Sequence, residues 1–384
     1  MNKKINSKRE KYSCIILLVI FSIILIGCSK KKSSETDKPG TYDVKVLVLD
    51  DCGIISDSNE QSKTDSVLML DSGGKLLKKI DGFQVKEGYG ENKAISVSED
   101  GRFFVVCEDG ARKLSIYETS TGSEYWSHTW PDRVVHTAVF FNNTLYVYGT
   151  RFIMSIDVSE IGKKDIKEIG GYWNGVWLDV AFDKKNNSIW AVGSIIRKYN
   201  LDFEQEFQIG SVFDSSVAGA FSVDTTSDGS AWVAVQEVIE RNNLENQLLK
   251  ISSDGKIIKT IQLDVIPICV CVDKSDDSVW VTGMTSNRDY SKIGDEWPET
   301  LTELNEAIKT DVQTYTHKYN ANGDKILELD KGGYSIVIDS TDKSAWVACH
   351  DSIVHYSDTG EIINEYKDVS KQHKWIALVP KGEK

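Results

Sequence analysis

Residues 268–284 read ICVCVDKSDDSVWVTGM. A short apolar run ends at Asp273, a polar stretch KSDDS follows, and a second apolar run resumes around Trp280. Two apolar runs separated by a tight polar turn predict a buried hairpin. Asp at the first turn position can accept backbone N–H bonds, and Ser at the last can do the same. The unit recurs as Asp183-KKNN-Ser188-Ile-Trp190, Asp224-TTSDG-Ser230-Ala-Trp232 and Asp339-STDK-Ser344-Ala-Trp346. Each copy follows its own apolar strand: LDVAF, AFSV and SIVI. Degenerate copies lie at 95–106, ISVSEDGRFFVV, and at 139–148, VFFNNTLYVY.

After each hairpin come two further strands joined by a turn, as in QLLKISSDGKIIKTIQL, YTHKYNANGDKILEL and SIVHYSDTGEIINEY. Four strands per unit, repeated along the chain, predict propeller blades. Second strands begin at 46, 103, 145, 189, 231, 279 and 345, which makes seven blades with most spacings between 42 and 48. The spacing of 66 before the last is accounted for by an insertion over 284–312, with a helix expected over 298–312 behind Pro298. The first copy has no innermost strand of its own, whereas Trp375-Ile-Ala-Leu-Val379 resembles an innermost strand with nothing after it. The C-terminal strand is therefore expected to pair with the strands at 43–50, 66–71 and 74–79. The expected fold is all-β, a seven-bladed β-propeller over 42–384 closed by a split blade.

The chain carries 45 Lys+Arg and 58 Asp+Glu, a net charge of −13 over 384 residues. Residues 1–27 hold five basic residues and one acid, so the remainder has 40 against 57, a net of −17. Such a surface lacks the basic footprint that phosphates need, and no nucleic-acid partner is expected. Cys14 to Gly27 reads CIILLVIFSIILIG behind a basic segment. The run suits the apolar core of a signal peptide and is short for a membrane span.

The sequence Leu25-Ile26-Gly27-Cys28 resembles the bacterial lipobox. The resemblance implies cleavage before Cys28, a thioether from Cys28 to diacylglycerol, and anchoring by palmitate-type acyl chains. The alternative is an uncleaved anchor with Cys28 a bystander. Residues 28–41 then form a flexible tether, and the protein is expected on the outer side of a cell membrane or at an outer membrane. The D-x4-S-x-W-V units resemble NHL-type, streptogramin-lyase-like and two-component-regulator propellers. Residues 99–128 resemble WD and quinoprotein-like repeats. The streptogramin-lyase resemblance would imply a His/Glu/Mg active site, but its residues do not map onto this chain one by one. No cofactor is expected from any motif.

Among chemical candidates, the Trp residues at one position per blade are expected to pack between blades. The turn carboxylates resemble half a calcium loop without its distal Glu, and hairpin capping accounts for them. His350 and His355 flank one turn. Of the cysteines at 52, 107, 269, 271 and 349, Cys269 and Cys271 share a face, so buried free thiols are expected. Counting back from the first turn residue, positions two and four before it are expected to line the central channel: Ala181 and Asp179, Ser222 and Ala220, Cys271 and Cys269, Val337 and Ser335. Ligand-binding candidates at one mouth are His136, Trp177, Asp179, Tyr334 and Lys374, with loops bearing Trp130, Tyr172, Trp173 and His373 nearby. Two functions follow: a lipid-anchored module that binds a protein or small molecule at the channel mouth, or an exported lyase or quinoprotein-like oxidoreductase.

Overall fold

The computed structural model describes residues 42–50, 65–85, 94–149, 152–161, 169–172, 177–193, 195–209, 219–240, 243–286, 312–349, 351–369 and 374–380. Within them, 28 strands form seven four-stranded antiparallel sheets. Six sheets are contiguous in sequence: blade 1 spans 95–129, blade 2 135–172, blade 3 177–209, blade 4 219–263, blade 5 266–329 and blade 6 333–366. The seventh, the closing blade, joins Lys374–Leu378 to Val46–Asp50, Asp65–Leu70 and Leu76–Phe83, in that order from the axis outward. Innermost strands neighbour one another around the full circle, so the sheets form a ring: a seven-bladed β-propeller. The candidate helix and most of the insertion, 287–311, lie outside the described residues, as do Cys28 and the whole of 1–41.

The closing pairing runs Val46↔Leu378, Leu47↔Ala377, Val48↔Ile376, Leu49↔Trp375 and Asp50↔Lys374. Val46 through Leu49 are completely buried. A strand apolar on both faces needs a neighbouring sheet on each side, which a ring supplies to every blade.

The repeated Trp fills that space. Trp190, Trp232, Trp280 and Trp346 are each at most 1% exposed, and burying such a ring contributes about 2–3 kcal/mol. Directly opposite each, on the third strand, stand Lys198, Lys250, Lys318 and His355. The three ammonium groups lie 5.5, 5.3 and 5.0 Å from the indole centroids, and the His355 ring stacks on Trp346 at 4.0 Å. Each lysine then reaches the following blade: Lys198 Nζ donates to Ser253 O at 3.1 Å, Lys250 Nζ to Ala321 O at 3.0 Å, and Lys318 Nζ to the Asp358 carboxylate. The aliphatic stem covers the indole while the charged head ties two blades together.

The turns between third and outermost strands also touch the preceding blade. Gly323 (φ +82°) and Gly360 (φ +85°) sit in the left-handed region, and a Cβ there would lie 2.8 Å from Ile261 Cδ1 and 2.9 Å from Leu327 Cδ1. Only glycine meets both conditions at low cost.

The hairpin turns are capped as the sequence suggests. Asp183 Oδ1 accepts the Lys185 and Asn186 N–H groups, and Asp273 and Asp339 accept those of Ser275 and Thr341. Blade 4 differs from expectation. Thr226, not Asp224, opens its turn, with Thr226 N–H bonded to Ser230 O at 2.8 Å. Asp224 pairs with Trp232 two residues earlier and accepts Val272 N–H of blade 5 at 2.8 Å. The D-x5-S spacing there, one longer than elsewhere, marks this shift.

Removing 374–384 takes away the innermost strand of the closing blade, including buried Trp375, Ile376 and Ala377. The expected loss is about 4–6 kcal/mol, read as a lower urea midpoint in equilibrium unfolding, while unchanged stability would count against closure by this strand.

Candidate functional site

Each innermost strand starts at the face where second-to-third strand connections turn, and in blades 2 to 6 it starts with the same irregularity. The register slips between Val135 and Thr137, Trp177 and Asp179, Ala220 and Ser222, Pro267 and Cys269, and Gly333 and Ser335. One extra residue sits in each slip: His136, Leu178, Phe221, Ile268 and Tyr334. A β-bulge of this kind leaves its extra residue out of the ladder and turns the strand.

Burial follows the bulges. The five bulged residues are half-exposed, and the residue that follows each of them is buried. Three positions further on, Val139, Asp224, Cys271 and Val337 are again half-exposed, and Ala181 is the small buried member of that row. An innermost strand is covered by its own sheet and by two neighbouring blades, so its remaining exposure is to the axial channel. The bulged residues therefore border the mouth, and the second row lies deeper.

The register bears on the expected channel lining. Ala181, Cys271 and Val337 stand directly opposite Trp190, Trp280 and Trp346 and pack in the junctions between blades. Asp179, Ser222, Cys269, Ser335 and Ala220 are buried. No bulge separates Asp179 from Ala181, so the two share a face, and that face looks into the junction with the next blade. There Asp179 Oδ2 accepts the Ser222 hydroxyl at 2.8 Å and Val223 N–H at 3.0 Å. Ser222 Oγ in turn accepts Val270 N–H at 3.1 Å, and Ser335 Oγ accepts Ile376 N–H at 3.4 Å. These polar ties run from blade to blade behind the channel wall.

Of the five candidate residues, His136 and Tyr334 lie among the bulged residues at the mouth. Trp177 holds the strand position before the blade 3 bulge. Asp179, 2% exposed, stands behind the wall. Lys374 is fully buried and donates to Cys349 O at 3.2 Å. Trp130, on the same face, is buried against Leu114, Val135 and Phe152. Trp173 and His373 lie outside the described residues. The residues that periodicity missed are Leu178, Phe221 and Ile268. The signal for them is a one-residue excess between the strand start and the turn, legible once a bulge is assumed.

The mouth is two-sided. Leu178, Phe221 and Ile268 come from three consecutive blades and form an apolar arc, with His136 and Tyr334 at its two ends. Blades 4 and 5, within the arc, also carry the longest hairpins: Ala231–Glu240 pairs with Asn243–Ile251, and Val279–Ser286 with Val312–Tyr319. Opposite Trp280, burial and then the neighbouring Asp224 carboxylate push the Cys271 thiol far up, so it stays protonated and is a poor nucleophile. Cys107, Cys269, Cys271 and Cys349 are all free. Among the described residues no group of three His, Cys, Asp or Glu is placed to hold a metal ion. The chemistry on offer is apolar contact with a few hydrogen bonds, which suits binding.

A cavity of about 830 Å³ lies at the opposite face, lined in part by Tyr42, Lys45, Arg102, Phe103, Thr119 and Pro380. Its lining flanks the first and last strands, Val46–Asp50 and Lys374–Leu378, so this cavity lies beside the closing blade where it meets blade 1.

No family model matches this sequence and no curated protein matches it. Solved structures do match in fold. Hydrazine synthase of Kuenenia stuttgartiensis is 13% identical, with 72% of this chain and 80% of that chain covered and a TM-score of 0.53. The dihydro-heme d1 dehydrogenase NirN is 11% identical over 89% of this chain and 77% of its own, also at 0.53. A chain of a mitotic checkpoint complex is 10% identical over 92% and 100%, again at 0.53. Likeness at such identities extends to the propeller architecture alone.

Asp179→Ala leaves the Ser222 hydroxyl and the Val223 N–H buried without their acceptor. Stability should fall by about 2–4 kcal/mol, measured as a shift in urea midpoint at constant slope. A neutral result would return Asp179 to the mouth.

Proposed function

We propose that this chain is a lipid-anchored, extracytoplasmic β-propeller that binds a protein segment or small molecule at the bulged mouth of its channel. Its repeats are read as kin to the NHL-type, streptogramin-lyase-like and quinoprotein-like propellers they resemble. The observation that carries the binding reading is the convergence of five bulged residues from five consecutive blades on one mouth, three of them apolar and adjacent. Bulges re-aim side chains and are common beside functional sites. A concavity with apolar walls and a few polar groups is the usual form of a ligand site.

Anchoring is supported by the sequence at Cys28. Tyr42 N–H bonds to Ser120 O at 2.7 Å, in the turn between the third and outermost strands of blade 1. That turn lies at the face opposite the bulges.

Two experiments test this reading. Cys28→Ser should abolish incorporation of labelled palmitate and cleavage before residue 28; cleavage at the same bond, or labelling that persists, refutes the lipid anchor. A photoreactive residue in place of Phe221 should crosslink to a discrete species in native membranes, and Leu178→Asp with Ile268→Asp should reduce that product about tenfold. The same photoreactive residue in place of the rim residue Ile258 should give no such product. Equal crosslinking at both positions would place the site away from the mouth.

A further inference from the structure

The junction between blade 6 and the closing blade departs from its neighbours at one residue. Between blades 3 and 4, 4 and 5, and 5 and 6, the third-strand residue over the Trp is a lysine that reaches the following blade. At the closing junction it is His355, stacked on Trp346. His355 is 7% exposed, and both of its ring nitrogens are buried without a hydrogen-bond partner. Trp346 packs there with Val46, Val48, Leu68 and Ile376 of the closing blade. The charged tie runs in the opposite direction: Lys45 Nζ of the closing blade donates to the Asp339 carboxylate of blade 6.

Three charged groups reach the imidazole. Asp342 and Asp339 come from the blade 6 hairpin turn, and Lys45 comes from the closing blade. Both carboxylates are engaged already. Asp339 accepts from Lys45 and from the Thr341 hydroxyl, and Asp342 accepts Ser344 N–H at 2.9 Å. On the fourth strand the residue opposite His355 is the uncharged Asn364. The closing blade's outer turn brings Gly74 against Asn364, and its Asp71 carboxylate accepts the Gly73 and Lys75 N–H groups. A proton on His355 therefore adds a second cation beside Lys45, on a ring whose nitrogens have no acceptor. A buried charge without hydrogen bonds is costly. The cost is relieved when the imidazolium meets water, which requires the junction to part.

Burial holds His355 below the usual histidine range; Asp342 and Asp339 oppose the shift, and Lys45 adds to it. Once the junction opens or the chain unfolds, the ring returns to its ordinary value of about 6.5 and binds the proton more tightly. The stability of this junction is thus fully present above about pH 6.5 and declines as pH falls through that value.

We infer that the junction of blade 6 with the closing blade is an acid-sensitive latch of the ring. His355 is its sensor, and the Lys45–Asp339 pair is the tie that loosens when His355 gains a charge. The latch stands apart from the channel mouth and does not rest on the binding proposed there.

The test compares the full-length protein in detergent at about pH 7.5 and about pH 5.5. Between them, wild-type Tm should fall by about 2–4 °C more than that of His355→Gln, which carries no titrating ring. His355→Lys, which installs the residue of the three other junctions and stays charged at both pH values, should lose the excess fall as well. It carries the comparison if the glutamine variant does not fold. His317→Gln, which removes the other buried histidine, should keep it. Amide exchange, corrected for intrinsic rates, locates the effect. In wild type at the lower pH, protection of Val46–Asp50 and Lys374–Leu378 should drop about tenfold while that of blade 4 holds. An equal Tm fall in wild type and the His355 variants overturns the sensor. An equal loss of protection around the whole ring overturns the latch.

Discussion

The ring depends on the pairing of Lys374–Leu378 with Val46–Asp50. Each blade buries both faces against its neighbours, so an open ring would expose two flanks at once. The closing blade contributes residues such as Leu47, Leu49 and Trp375 to one junction and Val48, Leu68 and Ile376 to the next. Chain ends that lie 328 residues apart, from Val46 to Lys374, thus meet in one sheet. The loop-closure cost of that meeting grows only slowly with length, while the apolar area at two junctions depends on it.

In blades 3 to 6 the same physical solution repeats with local variation. A buried Trp supplies area, the third-strand cation covers it and reaches the next blade, and a turn glycine lets the next blade approach. Where His355 replaces the lysine, stacking on Trp346 takes over the covering role. Burial lowers the affinity of His355 for a proton, and nearby Asp342 and Asp339 oppose that shift. The polar ties behind the channel wall, Asp179 to Ser222 and Ser222 to Val270, add direction to contacts that apolar packing alone would leave free to slide.

The regularity is broken at the channel mouth. Five bulges take one residue per blade out of the ladder and turn it to the axis at the open end. The strand pairing is satisfied without these residues, so their identities answer to the channel rather than to the sheet. That freedom allows Leu178, Phe221 and Ile268 to form an apolar arc and His136 and Tyr334 to bound it.

The repeat itself was legible from residues 268–284 outward. Apolar runs, polar turns and one Trp per unit depend on local backbone preference and burial, which a sequence displays directly. Blade number and the split closing blade followed from counting strands, and the unpaired Trp375 strand pointed to its partner by elimination. The channel lining was less legible. Alternation tells which side chains share a face of a strand, but not whether that face meets the channel or a neighbouring blade. Asp179 therefore reads from sequence as a channel carboxylate and stands in the structure as a tie between blades 3 and 4. Lys374 reads as a mouth residue, yet the closing sheet buries it. Whether a polar side chain faces solvent or a neighbouring blade is set by where the bulge falls and what packs beyond it. Both are properties of the assembled ring, and only the tertiary structure decided them.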